Sequence, residues 1–501
     1  MTTTTTTPIV STPTPNSVQL RFRSPDWERL QRHLFPGDGG EHGAVLLCGQ
    51  VVVDSVLRLL VREVIPAAEG VDYVPGTRGH RHLDGSFVTR QLRRAKDLGL
   101  VYLAVHNHGG RRKVAFSGLD LDSHERAYPT LLSLSGAPVG GLVIAKGAVA
   151  GDLWLPNGSR TPVQGTVVVG EGLETFDDGH SPASGSSDLL AAPRFARQAL
   201  VFGDAGQETL GQLSVAVVGA GGVGMLIVQA LARLGVGQLV VIDPDHVSTS
   251  NLSRLPEARL KDASGRFRGG WFGKVFGRLG HNRPTAKVDL AARIIRGANP
   301  RAQISTIRGD VADDAVAREL LECDFIFLAA DTMLAREVVN QNAYQYLIPT
   351  LQVGSKVVVD PESGDVRDVY GVIRSLGVEP GCLRCNELVN LTKLAEEAVA
   401  TAEQRRNQRY VDEPGIEAPS VITLNSMSAG WAVNDFMHFA TGLGRPAAGF
   451  RILRSRPVAP GHPQLVVQEP HVDPDCHVCG TRPYSVLALG DGADLPTRVH
   501  S

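Results

Sequence analysis

The stretch that most constrains this chain is a buried strand that runs into a glycine turn and then a helix. Val215 to Val218 is uniformly apolar, Gly219, Gly221, Gly222 and Gly224 crowd the next six positions, and Met225 to Leu234 has helical composition. A second apolar strand, Leu239 to Ile242, ends at Asp243. Glycines spaced this way let the backbone approach a phosphate at a helix N-terminus, and an acid about twenty residues on can hold a ribose. Helices at Ala286 to Ile295 and Leu334 to Tyr344 flank another apolar strand, Phe325 to Leu328. Alternating strands and helices predict an α/β fold with a largely parallel, Rossmann-like sheet. By itself the glycine spacing fits NAD, FAD and ATP sites equally.

A chain of 501 residues is long for one core and predicts two or more domains. Residues 1–16, rich in Thr and Pro, lack the basic and apolar regions of a signal peptide and are expected to be a disordered tail. A Gly/Ser/Asp-rich stretch, Glu171 to Ser187, marks a linker at 166–190. The expected domains are therefore 17–165 and 191–501. A net charge of −2 and the lack of a long Lys/Arg run argue against nucleic acid as a partner. No apolar run is long enough to suggest a membrane span. Four of the six cysteines form two C-x-x-C pairs, which points to metal, a reducing compartment and a cytoplasmic location.

In the front domain, Ala44 to Leu47 and Val51 to Val53 are expected as short strands split by a turn at Gly49. Phe87 to Leu98 is an amphipathic helix, and Val101 to Val105 is a strand delivering His106 at its end. A second helix is expected over Ser123 to Leu134, making a mixed α/β unit. His106 and His108 are two residues apart on extended chain and point to the same side. With the nearby Asp120 they suit zinc, leaving a fourth position for water. Zinc lowers the pKa of such a water toward about 7.

The set Glu41, His106-Asn107-His108 and Ser117-x-x-Asp120 resembles the JAMM (MPN, Mov34/JAB-like) metallopeptidases over roughly residues 17 to 165. That resemblance implies a catalytic zinc on His106, His108 and Asp120, with Glu41 as proton acceptor and Ser117 supporting the oxyanion. The family usually has Pro after the second His, where this chain has Gly109. The competing reading is a JAMM-like module that only binds.

The second half resembles the ThiF/MoeB superfamily of ubiquitin-activating-type adenylation enzymes over roughly 191 to 485. Five separated motifs carry the likeness: Arg194-Phe195-Ala196-Arg197-Gln198; the glycine turn with Asp243 and Asp245; Asn251-Leu252-Ser253-Arg254; Lys287; and Asp331 with Arg336 and Asn340. By resemblance, Asn251, Arg254 and Lys287 hold the triphosphate of ATP and Asp331 holds Mg2+. Arg197 reaches the γ-phosphate, often from the other subunit of a dimer. The stretch 255–286 is long for the family, and its Trp271, Phe272 and Phe276 suggest a flap or docking loop or a plain insertion. Lys274 within it is a further phosphate candidate.

Cys382, Cys385, Cys476 and Cys479 have the spacing of a closed four-sulfur structural zinc site. Cys48 and Cys323 sit among apolar residues and are expected in strand cores. No cysteine lies between the pairs, where thioester-forming relatives carry theirs. The expected product is thus an acyl-adenylate passed to a partner such as a conjugating enzyme or sulfur donor. Residues 386–418 are expected to cross over the substrate tail or to form a solvated helix. Together the resemblances imply that the C-terminal tail of a ubiquitin-like protein is cut and its new carboxylate activated. The alternatives are sulfur-carrier activation and peptide tailoring, with the front domain processing or binding.

Overall fold

The computed structural model describes residues 15–75, 81–180, 193–264, 283–360, 362–399, 419–444, 449–456 and 464–498. Almost all of the expected N-terminal tail, the linker beyond residue 180, Trp271, Phe272, Lys274, Phe276 and residues 400–418 lie outside that set. Two compact units are present, one built chiefly from Asp26–Val167 and the other chiefly from residues beyond 182. No described helix is long and apolar enough to cross a membrane.

The first unit is a mixed sheet of β1 (Ser17–Arg23), β2 (Gly43–Val53), β3 (Val56–Pro66), β4 (Val101–Asn107), β5 (Val139–Ala145), β6 (Ala148–Trp154), β7 (Arg160–Val169) and β8 (Leu173–Phe176). Their order is β1-β3-β2-β4-β5-β6-β7-β8, with β7 also pairing to β1. Helix α1 (Ser24–Leu34) follows β1, α2 (Gly85–Asp97) precedes β4, and α3 (Gly118–Ser135) crosses over between β4 and its parallel neighbour β5.

Three expectations change here. Gly49 makes no turn: it pairs with Leu60 inside a continuous β2, and a bulge at Leu47/Cys48 absorbs the offset. Ladder hydrogen bonds to β3 outweigh the local preference of one glycine. His106 lies inside β4, not at its end, because Gly43 on one side and Val143 on the other extend the pairing. The expected linker is partly sheet, since β8 occupies 173–176 and the Phe176 ring lies 5.0 Å from that of Trp27.

The second unit holds α4 (Ala196–Gln212), β9 (Ser214–Val218), α5 (Gly222–Leu234), β10 (Gln238–Ile242), α6 (Lys287–Ala298), β11 (Gln303–Ile307), β12 (Phe325–Leu328) and α7 (Met333–Gln345). After these come β13 (Thr350–Val359), β14 (Val366–Leu376), α8 (Leu391–Val399), α9 (Ile422–Thr441), β15 (Phe450–Arg456) and β16 (Gln464–Gln468). Strand order is β11-β10-β9-β12-β13-β14-β15-β16. The first five strands are parallel, as expected of a Rossmann-like sheet. The last three are antiparallel, so the sheet is parallel in only one half. The sequence signal for parallel strands came from helices alternating with strands, and β13 to β14 has no helix between. Cys48 is buried within β2, whereas the buried Cys323 precedes β12 instead of lying in a strand.

Within the 255–286 stretch, Asp262 ties together the described residues on either side of 265–282. Its carboxylate accepts both guanidinium arms of Arg293, at 2.9 and 2.8 Å, and the amide of Arg259 at 2.8 Å. From the far side of residues 265–282, the Thr285 amide donates to the Asp262 carbonyl at 2.8 Å. The Arg293 hydrogen bonds, against the opposing effect of burial, pull the carboxyl from 3.8 to about 2. A depressed carboxyl stabilises the fold above the unfolded pKa, and that stabilisation is lost as pH falls through the folded one. Arg293→Met is therefore expected to unfold at lower temperature at pH 7, with the gap to wild type closing between about pH 4 and pH 2. Thermal melts across that range check it.

Candidate functional site

In the second unit the carboxyl ends of β9, β10 and β12 lie side by side, the place where open α/β sheets bind ligands. The turn after β9 tolerates only glycine at key points. Gly219 has φ 95°, and a Cβ on Gly224 would stand 1.8 Å from the Gly219 carbonyl oxygen. Gly221 caps α5 without a side-chain partner, so the first amides of that helix face the turn.

Asp243 is buried, and its Oδ2 accepts from the Ala220 amide at 2.8 Å while Oδ1 accepts from the Asp245 amide at 2.8 Å. Burial pushes its carboxyl up, only partly opposed by Lys287. The Lys287 ammonium, also buried, lies 3.1 Å from Asp245 Oδ2 and 3.7 Å from Asp243 Oδ2. Asn251 is buried, and its Oδ1 accepts from the Ser248 amide at 3.2 Å, which fixes the loop that carries Arg254. Arg254 bonds the Ser250 carbonyl at 2.9 Å, and its Cδ is 3.3 Å from where a Gly222 Cβ would sit. Exposed Asp331 follows Ala329 and Ala330, which abut Gly219 at 2.9 and 2.8 Å from its would-be Cβ.

Two members of the expected set lie apart from this cluster. Arg197 is exposed in the first turn of α4, and among the described residues no hydrogen bond or ion pair joins it to the glycine turn. Asn340, fully buried in α7, accepts from the Leu383 amide at 2.9 Å and so serves the cysteine loop.

Two groups at the site went unnoticed in the sequence. Asn425, in the first turn of α9, has its Nδ2 2.3 Å from the would-be Cβ of Gly222. Glu397 of α8 accepts from the Met333 and Leu334 amides, at 3.1 and 2.8 Å, at the start of the helix after Asp331. The only available signal was a polar residue opening an apolar helix in one case and an acid among solvated charges in the other.

The first unit gathers its own cluster. His106 Nε2 lies 3.2 Å from His108 Nε2 and 3.5 Å from Asp120 Oδ1, and His108 Nε2 lies 3.4 Å from Asp120 Oδ2. A tetrahedral ion with bonds of about 2.0–2.1 Å sets its donors about 3.3–3.4 Å apart, so the three could hold zinc. His108 Nδ1 bonds the Ala115 carbonyl at 3.1 Å, which leaves Nε2 as the donor atom toward the cluster. Glu41 Oε1 is 3.8 Å from His108 Nε2, and Glu41 Oε2 accepts from the Arg81 amide at 3.2 Å.

Buried Asn107 fixes Glu41 from the far side of β4. Its Oδ1 accepts from the His42 amide at 2.6 Å and its Nδ2 donates to the Gly40 carbonyl at 3.3 Å. Ser117 caps α3, donating to Asp120 Oδ2 at 2.7 Å and accepting from the Asp120 amide at 3.2 Å. The S-x-x-D pattern is thus a capping box, and the helix starts five residues earlier than expected. Burial pushes the Asp120 carboxyl up, yet contacts from His106 and Ser117 outweigh it and hold the group far below the usual carboxylate range.

The four paired cysteines converge too. Sulfur separations are 3.7 Å for Cys382–Cys385, 3.6 Å for Cys382–Cys476 and 3.5 Å for Cys385–Cys479. Zinc–sulfur bonds of about 2.3 Å give tetrahedral edges of about 3.8 Å, so the donor set fits zinc.

Comparison with known proteins places the second unit. The ThiF family pattern matches residues 195–460. A molybdopterin-synthase adenylyltransferase of Salmonella typhimurium is 27% identical over 289 residues, covering 57% of this chain and 96% of the relative. A SAMP-activating enzyme E1 of Haloferax volcanii is 29% identical over 233 residues, covering 42% of this chain and 77% of the relative. A sulfur carrier protein ThiS adenylyltransferase of Bacillus subtilis is 27% identical over 160 residues, covering 32% and 42%. With the glycine turn, its acids and its cations inside a pattern that spans more than half of the sequence, the chain belongs to the ThiF family.

Proposed function

We propose that the second unit, taken as residues 191–501, adenylates the C-terminal carboxylate of a small carrier protein or peptide. The carboxylate attacks the α-phosphate of ATP and pyrophosphate leaves. Such a step is catalysed mainly by positioning and charge neutralisation. The observation that carries this reading is the convergence of Lys287 and Arg254 with Asp243 and Asp245 on one glycine turn, with Asn251 in the loop that carries Arg254 and Asp331 next to the Ala329–Ala330 segment that abuts Gly219. Lys287 and Arg254 would neutralise the triphosphate, Asp331 would hold Mg2+, and Asp243 would hold the ribose. Arg197, exposed and away from its own cluster, is available to the γ-phosphate of a second copy in a dimer.

Sulfur-carrier activation is the preferred substrate class, supported by the names of the relatives above. Peptide tailoring and the activation of a ubiquitin-like tail are the competing classes. The stretch between Cys385 and Cys476 has no cysteine, so the adenylate would pass directly to a partner such as a sulfur donor.

For the first unit, taken as residues 17–165, we propose zinc-dependent cleavage that exposes the tail. His106, His108 and Asp120 would hold the ion, on the strength of donor separations that suit a tetrahedral site. Zinc there would supply an acidified water and polarise a carbonyl. Glu41 would accept a proton and pass it to the leaving amine, and Ser117 would keep Asp120 oriented. The four cysteines would hold a second, structural zinc.

ATP–pyrophosphate exchange tests both halves, using a carrier protein that ends in Gly-Gly and the same protein with extra residues after it. Wild type is expected to support exchange with both forms. Glu41→Gln should support it only with the trimmed form, with a drop of roughly 10²-fold or more on the extended one. Exchange that ignores any protein or peptide tail sinks the adenylation reading. Equal exchange by Glu41→Gln on the extended form sinks the cleavage reading alone.

A further inference from the structure

We infer that Asn425 is an additional binding residue of the nucleotide site, donating a hydrogen bond to phosphate held at the glycine turn. The inference rests on the adenylation reading above. Asn425 is 1% exposed and sits on α9, whose other buried residues include Leu424, Ala429, Ala432, Val433 and Phe436. A carboxamide in such surroundings is costly unless its hydrogen bonds are made. Two are supplied: Ser355 Oγ donates to Oδ1 at 2.7 Å, and Nδ2 donates to Ser420 Oγ at 3.1 Å.

Those bonds fix the plane of the amide but use only one of the two hydrogens on Nδ2. The nitrogen that carries the other lies against Gly222, the first residue of α5, closer than any side chain there would allow. Gly222 is thus required for a reason separate from backbone torsion, because a Cβ would occupy the place of the Asn425 amide. Arg254, on the loop after β10, brings its Cδ to 3.3 Å from the same would-be Cβ. An anion at the start of α5 would meet the open amides of the helix, the Arg254 side chain and the remaining N–H of Asn425. Two serines orient the carboxamide, and glycine admits it to the phosphate position.

The test measures Mg-ATP binding to the full chain by calorimetry without any carrier, together with the KM for the carrier and thermal melts. Asn425→Ala removes the donor, and a hydrogen bond to a charged group predicts a loss of roughly 10- to 100-fold in ATP affinity. Asn425→Asp keeps the acceptor for Ser355 and nearly the same shape but turns a carboxylate toward phosphate. It should bind ATP more weakly than the Ala variant while the carrier KM changes little. The inference fails if both variants bind ATP within twofold of wild type. It also fails if the Asp variant binds no more weakly than the Ala variant and both losses follow the drop in melting temperature. Wild type that binds no ATP would instead overturn the adenylation reading.

Discussion

Lys287→Ala is expected to lower ATP–pyrophosphate exchange by about 10²- to 10³-fold, the loss typical of removing one preorganised charge-stabilising group. Lys287 is 6% exposed and its ammonium is held between two carboxylates, so little reorganisation is needed to present it to phosphate. The same burial complicates the experiment. Without the ammonium, buried Asp243 loses its counter-charge beside Asp245, and a buried charge that loses its partner is destabilising. Asp245→Asn in the Lys287→Ala background separates the effects: it should restore thermal stability without restoring exchange. Recovery of exchange in the double variant would mean that Lys287 acts on the fold and not on the triphosphate.

Cys382→Ser is expected to remove one zinc per chain, measured by elemental analysis, and to lower the melting transition sharply. Structural zinc contributes on the order of 10 kcal/mol to the folding of small metal domains, so loss of one of four donors is severe. Here the effect should extend beyond the metal loop. The Leu383 amide bonds Asn340, and Arg384 pairs with buried Glu337 at 2.7 Å, both on the helix that starts beside Asp331. Exchange should therefore fall along with zinc content. His106→Ala should also cost one zinc but leave exchange on a trimmed carrier intact. If Cys382→Ser keeps full zinc, the four sulfurs are not a metal site.

Local motifs made much of this molecule legible in advance. The glycine turn could be identified because strand, glycines and helix are consecutive, and the stretches expected to form β9, α5, β10, β12 and α7 do form them. The His106, His108 and Asp120 cluster was likewise within reach, since a strand and the following helix start lie within fifteen residues. What stayed hidden depends on distant partners. The antiparallel half of the second sheet is set by β13 to β16 pairing with each other, and Gly49 stays extended because β3 lies beside it. Asn425 reaches Gly222 across about two hundred residues, a proximity that spacing cannot express. Asn340 was recognised as part of a motif, yet its partner, the Leu383 amide in the cysteine loop, lies 43 residues away in sequence.

The way the last described residues wrap α7 makes the order of synthesis matter. Gln341 donates to the Asp494 carbonyl at 2.8 Å, Gln345 donates to those of Gly490 and Ala493 at 2.7 and 2.6 Å, and Cys476 and Cys479 supply half of the sulfur set. A chain stopped before Cys476 has already made every residue of the glycine turn, but the helix behind Asp331 lacks these partners. Gln341 and Gln345, buried in the finished fold, would then lack the carbonyls of Gly490, Ala493 and Asp494. A ribosome must therefore have delivered residues 476–494 before α7 can meet these partners, and a chain cut short of them leaves the helix behind Asp331 without half of its cysteine loop.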